Sequence, residues 1–270
     1  MMRSLWTAAS GMITQQTNVD VIANNISNIN TTAYKRETPQ FKTLLYQTIQ
    51  EESTDNQGLV KPLGIQVGLG VYNTAISSKY TQGAPIQTDN KYDLAIEGKG
   101  FFMIQLPDGQ TAYTRNGAFN ISTGYNGNML VNSEGYPVLD ISGSPISLNE
   151  NIDTSQISIE DNGAILYKDA FDNYQELTRI GVVQFNNPSG LEKMSNSLLA
   201  ETERSGVARL EIFDDNLENS KVLSGYLEGS NVEAANEMVD LIVAQRAYEM
   251  NSKAIQASDE MLQLANNLRR

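Results

Sequence analysis

Residues 230–270 place the strongest constraint on how this chain folds. They contain no glycine and no proline, and apolar side chains recur in them every seven residues, at Leu241, Tyr248, Ile255 and Leu262. Ser230 and Glu233 have the spacing of a helix-capping box. At 1.5 Å per residue the predicted helix spans roughly 55 Å. A small globular domain cannot cover a rod of that length, so the sequence predicts a helix that requires a helical partner.

A second helix is predicted at the N-terminus. Its apolar stripe has the same seven-residue repeat, at Leu5, Met12, Val19 and Ile26, and this repeat is typical of a coiled-coil seam. Other residues fall on the opposite side of the helical wheel, namely Trp6, Ile13, Asn18, Val21, Asn24, Asn25 and Asn28. A simple two-helix hairpin leaves that side in water. We therefore expect this helix to contact more than one neighbour.

The middle of the chain has the pattern of short β-strands. Apolar and polar residues alternate there, and Asp108-Gly109 and Asn116-Gly117 are candidates for hairpin turns. Residues 51–64 are polar, acidic and interrupted by glycine and proline, which favours an exposed excursion.

These patterns together predict an α+β protein in which long terminal helices form a coiled-coil-like pair and flank a central all-β domain. The predicted helical domain comprises residues 1–35 and 229–270. A connecting segment covers residues 36–71, with the polar excursion at 47–64, and the central β-rich domain covers residues 72–228.

The composition excludes several classes of function. The chain has neither cysteine nor histidine, so disulfides, thiolate or imidazole metal sites and Ser-His-Asp triads are impossible. Its net charge of -13 disfavours nucleic-acid binding. Carboxylate pairs at Glu160-Asp161 and Asp214-Asp215 are best explained as solvated loops. We predict no enzymatic activity, no cofactor, no metal and no membrane insertion.

Three stretches resemble the axial proteins of the bacterial flagellar rod and hook. The N-terminal "SLWTAASGMITQQTNVDVIANNISNINTTAYKRE", the central "DLAIEGKGFFMIQLPDGQTAYTRNGAFN" and the C-terminal "EGSNVEAANEMVDLIVAQRAYEMNSKAIQASDEML" occur in the family's order. The stretch "FKTLLYQTIQ", followed by a polar segment and "IQVGLGV", is similar to the distal-rod branch. One departure is Ala33, where relatives often have glycine.

The resemblance implies a structural subunit of the distal rod, which polymerises into a rigid hollow tube around the export channel and transmits torque to the hook. Its partners would be further copies of itself, other rod and hook subunits, the type III export apparatus and rod-surrounding ring proteins. It would act in the basal body outside the cytoplasmic membrane, in the periplasm or cell-wall zone, exported without a cleaved signal peptide. The terminal helices would line the tube and the β domain would form an outer layer.

The residues expected to pack subunits together belong to both terminal helices, and they are Leu5, Met12, Val19, Asn24, Asn25, Ile26, Asn28, Leu241, Tyr248, Ile255 and Leu262. We expect the asparagine amides to bond adjacent subunits and to favour one packing register. The alternatives are a proximal rod or hook-type axial subunit, a β-rich module that binds or hydrolyses cell-wall glycan, and a surface adhesin.

Overall fold

The chain folds into two compact units. The computed structural model describes residues 2–50, 64–124, 127–148, 156–168, 174–214 and 217–268. The first unit, called the helical unit below, consists of Met1–Ser27, Glu37–Ser78 and Glu233–Arg270. The second, called the β-rich unit, consists of Asn28–Arg36 and Lys79–Val232.

Two antiparallel helices dominate the helical unit, and they are α1 (Met2–Ser27) and α2 (Ala234–Asn267). The hydroxyls of Ser4 and Ser258 lie 3.2 Å apart near one end of the pair. Near the other end, Asn25 Nδ2 donates to Glu237 Oε2 at 3.1 Å. The prediction of a long helix at each end of the chain is confirmed.

The predicted capping box at the start of α2 is wrong. Glu233 occupies the N-cap position, but no side chain caps the helix. Ser230 Oγ instead accepts a hydrogen bond from the Val232 backbone N–H at 3.3 Å. Residues 230–232 belong to the β-rich unit. The Ser230 hydroxyl therefore takes part in a hydrogen bond within that unit, before the helix begins, and does not cap the helix.

In the described part of the helical unit the helices are joined by four strands, β1 (Glu37–Thr43), β2 (Tyr46–Gln50), β3 (Ile65–Gly68) and β4 (Val71–Ser78). β1 pairs with β4 and β2 pairs with β3, both antiparallel. α1 packs against β1 and β4, and its Val21 and Ile22 side chains are buried. Val21, which the hairpin argument left in water, is therefore covered within the chain. Most of the predicted excursion at 47–64 lies outside the described residues.

The β-rich unit is built from short strands, as predicted. They are β5 (Pro85–Gln87), β6 (Leu94–Glu97), β7 (Phe101–Gln105), β8 (Thr111–Thr114), β9 (Asn120–Gly124), β10 (Gly127–Val131), β11 (Ser147–Leu148), β12 (Ile157–Ile159), β13 (Ala164–Lys168), β14 (Tyr174–Arg179), β15 (Val182–Gln184), β16 (Glu192–Lys193), β17 (Leu199–Ala200), β18 (Arg209–Leu210), β19 (Lys221–Ser224) and β20 (Tyr226–Glu228). The largest sheet has the order β16-β17-β8-β7-β15-β18. β9 to β11 and β12 to β14 form three-stranded sheets, while β6 pairs with β19 and β5 with β20.

The core of the β-rich unit lies on both sides of β7. Phe102 and Ile104 belong to a larger apolar cluster, while Phe101 and Met103 belong to a smaller one. This alternation is the period of two expected for a strand covered on both faces. The Asp108-Gly109 turn joins β7 to β8 as predicted. The Asn116-Gly117 turn does not form a hairpin, because β8 and β9 lie in different sheets.

Candidate assembly site

Small and polar residues form the seam between α1 and α2. Ser4 meets Ser258, Gly11 lies opposite Asn251, and Asn25 bonds Glu237. These contacts are seven and then fourteen residues apart on both helices, so one repeat of seven runs along the pair. At Gly11 a Cβ atom would lie only 2.8 Å from Asn251 Nδ2. The helices therefore approach closely because a glycine faces the asparagine.

Asn25 fixes one end of this seam. Its side chain is buried, and Nδ2 donates to the backbone oxygen of Glu37 at 2.9 Å as well as to Glu237 Oε2. Asn25 Oδ1 accepts a hydrogen bond from the Glu37 backbone N–H at 2.9 Å. The amide thus joins α1, β1 and α2 within one chain. Bonds between Asn25 and an adjacent subunit stay a prediction.

The other residues predicted to pack subunits on α1 and α2 lie beside the seam. Those that are half-buried within the chain are Leu5, Met12, Val19, Ile26, Leu241, Ile255 and Leu262. Asn28 follows α1 and belongs to the β-rich unit, where its Oδ1 accepts a hydrogen bond from Thr31 Oγ1 at 3.0 Å. Asn24 and Tyr248 are exposed. The buried line of α2 instead contains Glu237, Ala244 and Ser258. The predicted stripe is therefore displaced by three or four residues from the line that α1 covers.

Large apolar side chains remain exposed on both helices. On α1, Trp6 is 72% exposed and Ile13 is 65% exposed. On α2 the exposed set comprises Met238, Val239, Ile242, Val243, Met250, Met261 and Leu264, and Leu268 directly after the helix is exposed as well. At 100° per residue most of the α2 set falls on the side opposite Ala244. Such a continuous apolar stripe is typical of a surface that another protein covers.

A cluster of buried charges lies inside the β-rich unit, where the sequence indicated nothing. Lys35 Nζ donates to Glu228 Oε1 at 2.6 Å, and Arg115 Nε donates to Glu228 Oε2 at 2.8 Å. All three side chains are almost completely buried. We call this cluster the clasp. Its members come from three distant parts of the sequence, so no local pattern could have identified them.

The clasp is well supplied with hydrogen bonds. Glu228 Oε1 also accepts from the Gly83 N–H at 2.8 Å, and Lys35 Nζ donates to the Thr81 carbonyl at 2.8 Å. Burial lowers the pKa of Lys35 from its usual value, and the neighbouring Arg115 lowers it further, while Glu228 opposes both effects. Two cations therefore face one carboxylate in a dry environment.

The described members of the two acidic pairs, Glu160, Asp161 and Asp214, lie outside helices and strands. Asp214 pairs with Arg209 at 3.1 Å, and Asp215 lies outside the described part of the chain. Glu160 and Asp161 flank the turn between β12 and β13. Among the described residues no group of three or more acidic side chains could hold a metal. None of the described helices is long and apolar enough to cross a membrane.

Comparisons with known proteins agree with the resemblance at both helices and in the β-rich unit. Residues 5–35 match a profile described as "Flagella basal body rod protein", and residues 223–268 match "Flagellar basal body rod FlgEFG protein C-terminal". Residues 95–167 match "Flagellar hook protein FlgE/F/G D1 domain". Each of the three quoted motifs therefore overlaps a known family segment.

Whole-chain relatives give the same result. The flagellar basal-body rod protein FlgG of Borreliella burgdorferi is 45% identical over 100% of both chains. FlgG of Agrobacterium fabrum is 42% identical over 98% of both chains, and that of Bacillus subtilis is 38% identical over 100% of both. The Bacillus subtilis hook-basal body complex protein FlhP is 34% identical over the full length of both chains. The chain belongs to the FlgG family of flagellar basal-body rod proteins and is a structural, non-enzymatic subunit of the distal rod.

Proposed function

We propose that this chain polymerises into the hollow tube of the distal rod through the exposed apolar faces of α1 and α2. One observation carries the proposal. The seam inside the chain contains small and polar residues, whereas Trp6, Ile13, Val243 and Met250 remain in water. Burying such side chains yields about 25 cal/mol per Å² of apolar surface, which favours contact with further copies.

In this tube the two helices of each subunit pair as an antiparallel coiled coil. The seven-residue spacing of contacts between α1 and α2 supports that pairing. The half-buried residues beside the seam, Leu5 to Ile26 on α1 and Leu241 to Leu262 on α2, then complete their burial against neighbouring subunits. Asn24 and Asn28 supply amide hydrogen bonds across the same boundary, and these bonds select one register of packing.

The same family assignment supports partners and a location for the chain. Other rod and hook subunits adjoin it in the basal body, and the rod carries torque to the hook. We place the assembled chain outside the cytoplasmic membrane, delivered by the type III export apparatus. Rod-surrounding ring proteins are further proposed partners. A proximal rod or hook-type role has weaker support, because FlhP shares less identity than the FlgG relatives.

Substitutions on the exposed faces test the proposal. Ile13→Ser and Met250→Ser are expected to leave the monomer folded but to abolish sedimentable polymer and to reduce motility in cells that lack the native chain. Val207→Ser is the matched control, since Val207 is 75% exposed in the β-rich unit. Normal polymer formation and motility by Ile13→Ser and Met250→Ser would contradict the proposal.

A further inference from the structure

The clasp joins parts of the chain that are far apart in sequence. Lys35 follows α1, Arg115 follows β8, and Glu228 ends β20. The Lys35–Glu228 bond spans 193 residues and the Arg115–Glu228 bond spans 113. Bringing together residues so far apart in sequence costs loop-closure entropy. These ion pairs therefore cannot form by the local folding of one segment.

Hydrogen bonds between the two connecting segments accompany the clasp. The Ala33 N–H donates to the Glu228 carbonyl at 2.8 Å, and the Asn231 N–H donates to the Tyr34 carbonyl at 3.3 Å. Asn231 Oδ1 accepts from the Arg36 N–H at 2.6 Å. Residues 28–36 and 228–232 therefore form one bonded layer within the β-rich unit.

The layer is joined to the sheets by short strands. β20 is three residues long, and its ladder partner is β5, also three residues long. β19 is separated from β20 by one residue and pairs with β6 over four residues. By contrast, β7 and β8 lie in the middle of the six-stranded sheet, and apolar clusters cover both faces of β7. Backbone pairing of β19 and β20 therefore brings the chain to Glu228, and the clasp fixes the Glu228 side chain.

We infer that Glu228 completes the fold of the β-rich unit. Residues 28–36 and 228–232 dock on Arg115 last, after the rest of the unit has folded. A chain is synthesised from its N-terminus. Lys35 and Arg115 are therefore made before Glu228, which follows Arg115 by 113 residues. This inference rests on the proposed rod function in one respect. A subunit whose β-rich unit completes its fold late remains incompletely folded for longer before it reaches its assembly site.

Charge balance makes the inference testable. Glu228→Gln leaves two buried cations without a carboxylate, which is a strongly unfavourable arrangement. Lys35→Met leaves the Arg115–Glu228 pair, which is neutral overall. The double variant Lys35→Met/Glu228→Gln leaves one unpaired cation and has an intermediate penalty. Glu218→Gln is the matched control, because Glu218 faces Lys99 at 3.6 Å on the surface.

Hydrogen exchange and refolding kinetics of the full-length monomer distinguish these variants. In Glu228→Gln we expect the amides of Ala33, Gly83 and Asn231 to exchange about 100-fold faster. During refolding, the amides of β7 and β8 should become protected at a rate within about three-fold of wild type, since the clasp forms after the core. Lys35→Met should change the same exchange rates by less than about ten-fold, and Glu218→Gln should change none.

Three results would overturn the inference. The first is unchanged exchange at Ala33, Gly83 and Asn231 in Glu228→Gln. The second is a refolding rate of β7 and β8 that falls by the same factor as the folding equilibrium constant in Glu228→Gln. That result would mean that the clasp is already formed in the folding transition state. The third is exchange at Ala33, Gly83 and Asn231 that is about 100-fold faster than wild type in Lys35→Met. This variant keeps the Arg115–Glu228 pair, so it can be measured even if Glu228→Gln does not fold. All readouts use the monomer, so a failure here is separate from a failure of polymer formation.

Discussion

Replacing Asn25 by leucine tests whether this buried amide holds α1, β1 and α2 together. Leucine has a similar volume but removes the three hydrogen bonds to Glu37 and Glu237. Each neutral bond contributes about 1 kcal/mol, and the bond to the Glu237 carboxylate about 1.5–3 kcal/mol. The added apolar surface of leucine offsets about 1 kcal/mol. We therefore expect Asn25→Leu to lower the free energy of unfolding of the helical unit by about 3 kcal/mol.

Urea unfolding followed by circular dichroism at 222 nm measures this change, because α1 and α2 supply most of the helix. Asn24→Leu is the matched control, since Asn24 is the adjacent residue and is exposed. The control should lower the free energy of unfolding by no more than about 1 kcal/mol, the contribution of a single hydrogen bond. Hydrogen exchange of strands β7 and β8 in the β-rich unit should be unchanged in both variants.

Polymer formation separates the two asparagines further. Asn25→Leu should fail to polymerise because its helical unit is unstable. Asn24→Leu should form a stable monomer that polymerises poorly, if its amide bonds a neighbouring subunit. Equal stability of the two variants would refute the argument that Asn25 acts inside the chain.

Other substitutions test backbone strain and titration. Ala33 has φ of 58°, a left-handed conformation that costs an L-residue about 1–2 kcal/mol, so Ala33→Gly should raise the urea midpoint of the β-rich unit, whereas Ala84→Gly should lower it. Gly70 has φ of +122°, and an added Cβ would overlap a serine of α1, so Gly70→Ala should destabilise the helical unit by about 2–3 kcal/mol in urea. Gly109→Ala, at a positive φ with open space around it, should cost only about 1 kcal/mol. Burial raises the pKa of Tyr113 to about 12, and an adjacent glutamate adds to the effect. The unfolded chain therefore loses the Tyr113 proton at a lower pH than the folded chain. The free energy of unfolding should fall between pH 10 and 12 by at most about 2.7 kcal/mol, and by less where water screens the charge of the glutamate. Tyr113→Phe should flatten that decline in urea titrations at several pH values, and an unchanged slope would contradict this assignment.

Local periodicity explains why the helices and the β-rich middle could be predicted. The seven-residue repeat identified both helices. It does not by itself separate the small and polar line that faces α1 within the chain from the apolar stripe three or four residues away. Glu237, Ala244 and Ser258 form the buried line of α2, although they are smaller or more polar than the stripe beside them. Hydrophobicity alone points to Tyr248 and Leu262, because it does not distinguish contacts within one chain from contacts between chains.

The clasp could not have been predicted from local sequence. Lys35, Arg115 and Glu228 each look like ordinary surface charges, and only the folded chain brings them together. Ala33 is different, because the resemblance already identified it as a departure from the glycine that relatives often have. Its left-handed backbone gives the physical reason why glycine suits that position.

Hydrogen exchange on the monomer and on the assembled polymer tests the central claim most directly. We expect α1 and α2 to be less protected than the β-rich core in the monomer, and to gain at least about 100-fold on assembly as their exposed apolar faces are covered. Strands β6 to β8 should be strongly protected in both states. Equal protection of α1 and α2 in monomer and polymer would contradict the claim that these helices build the rod.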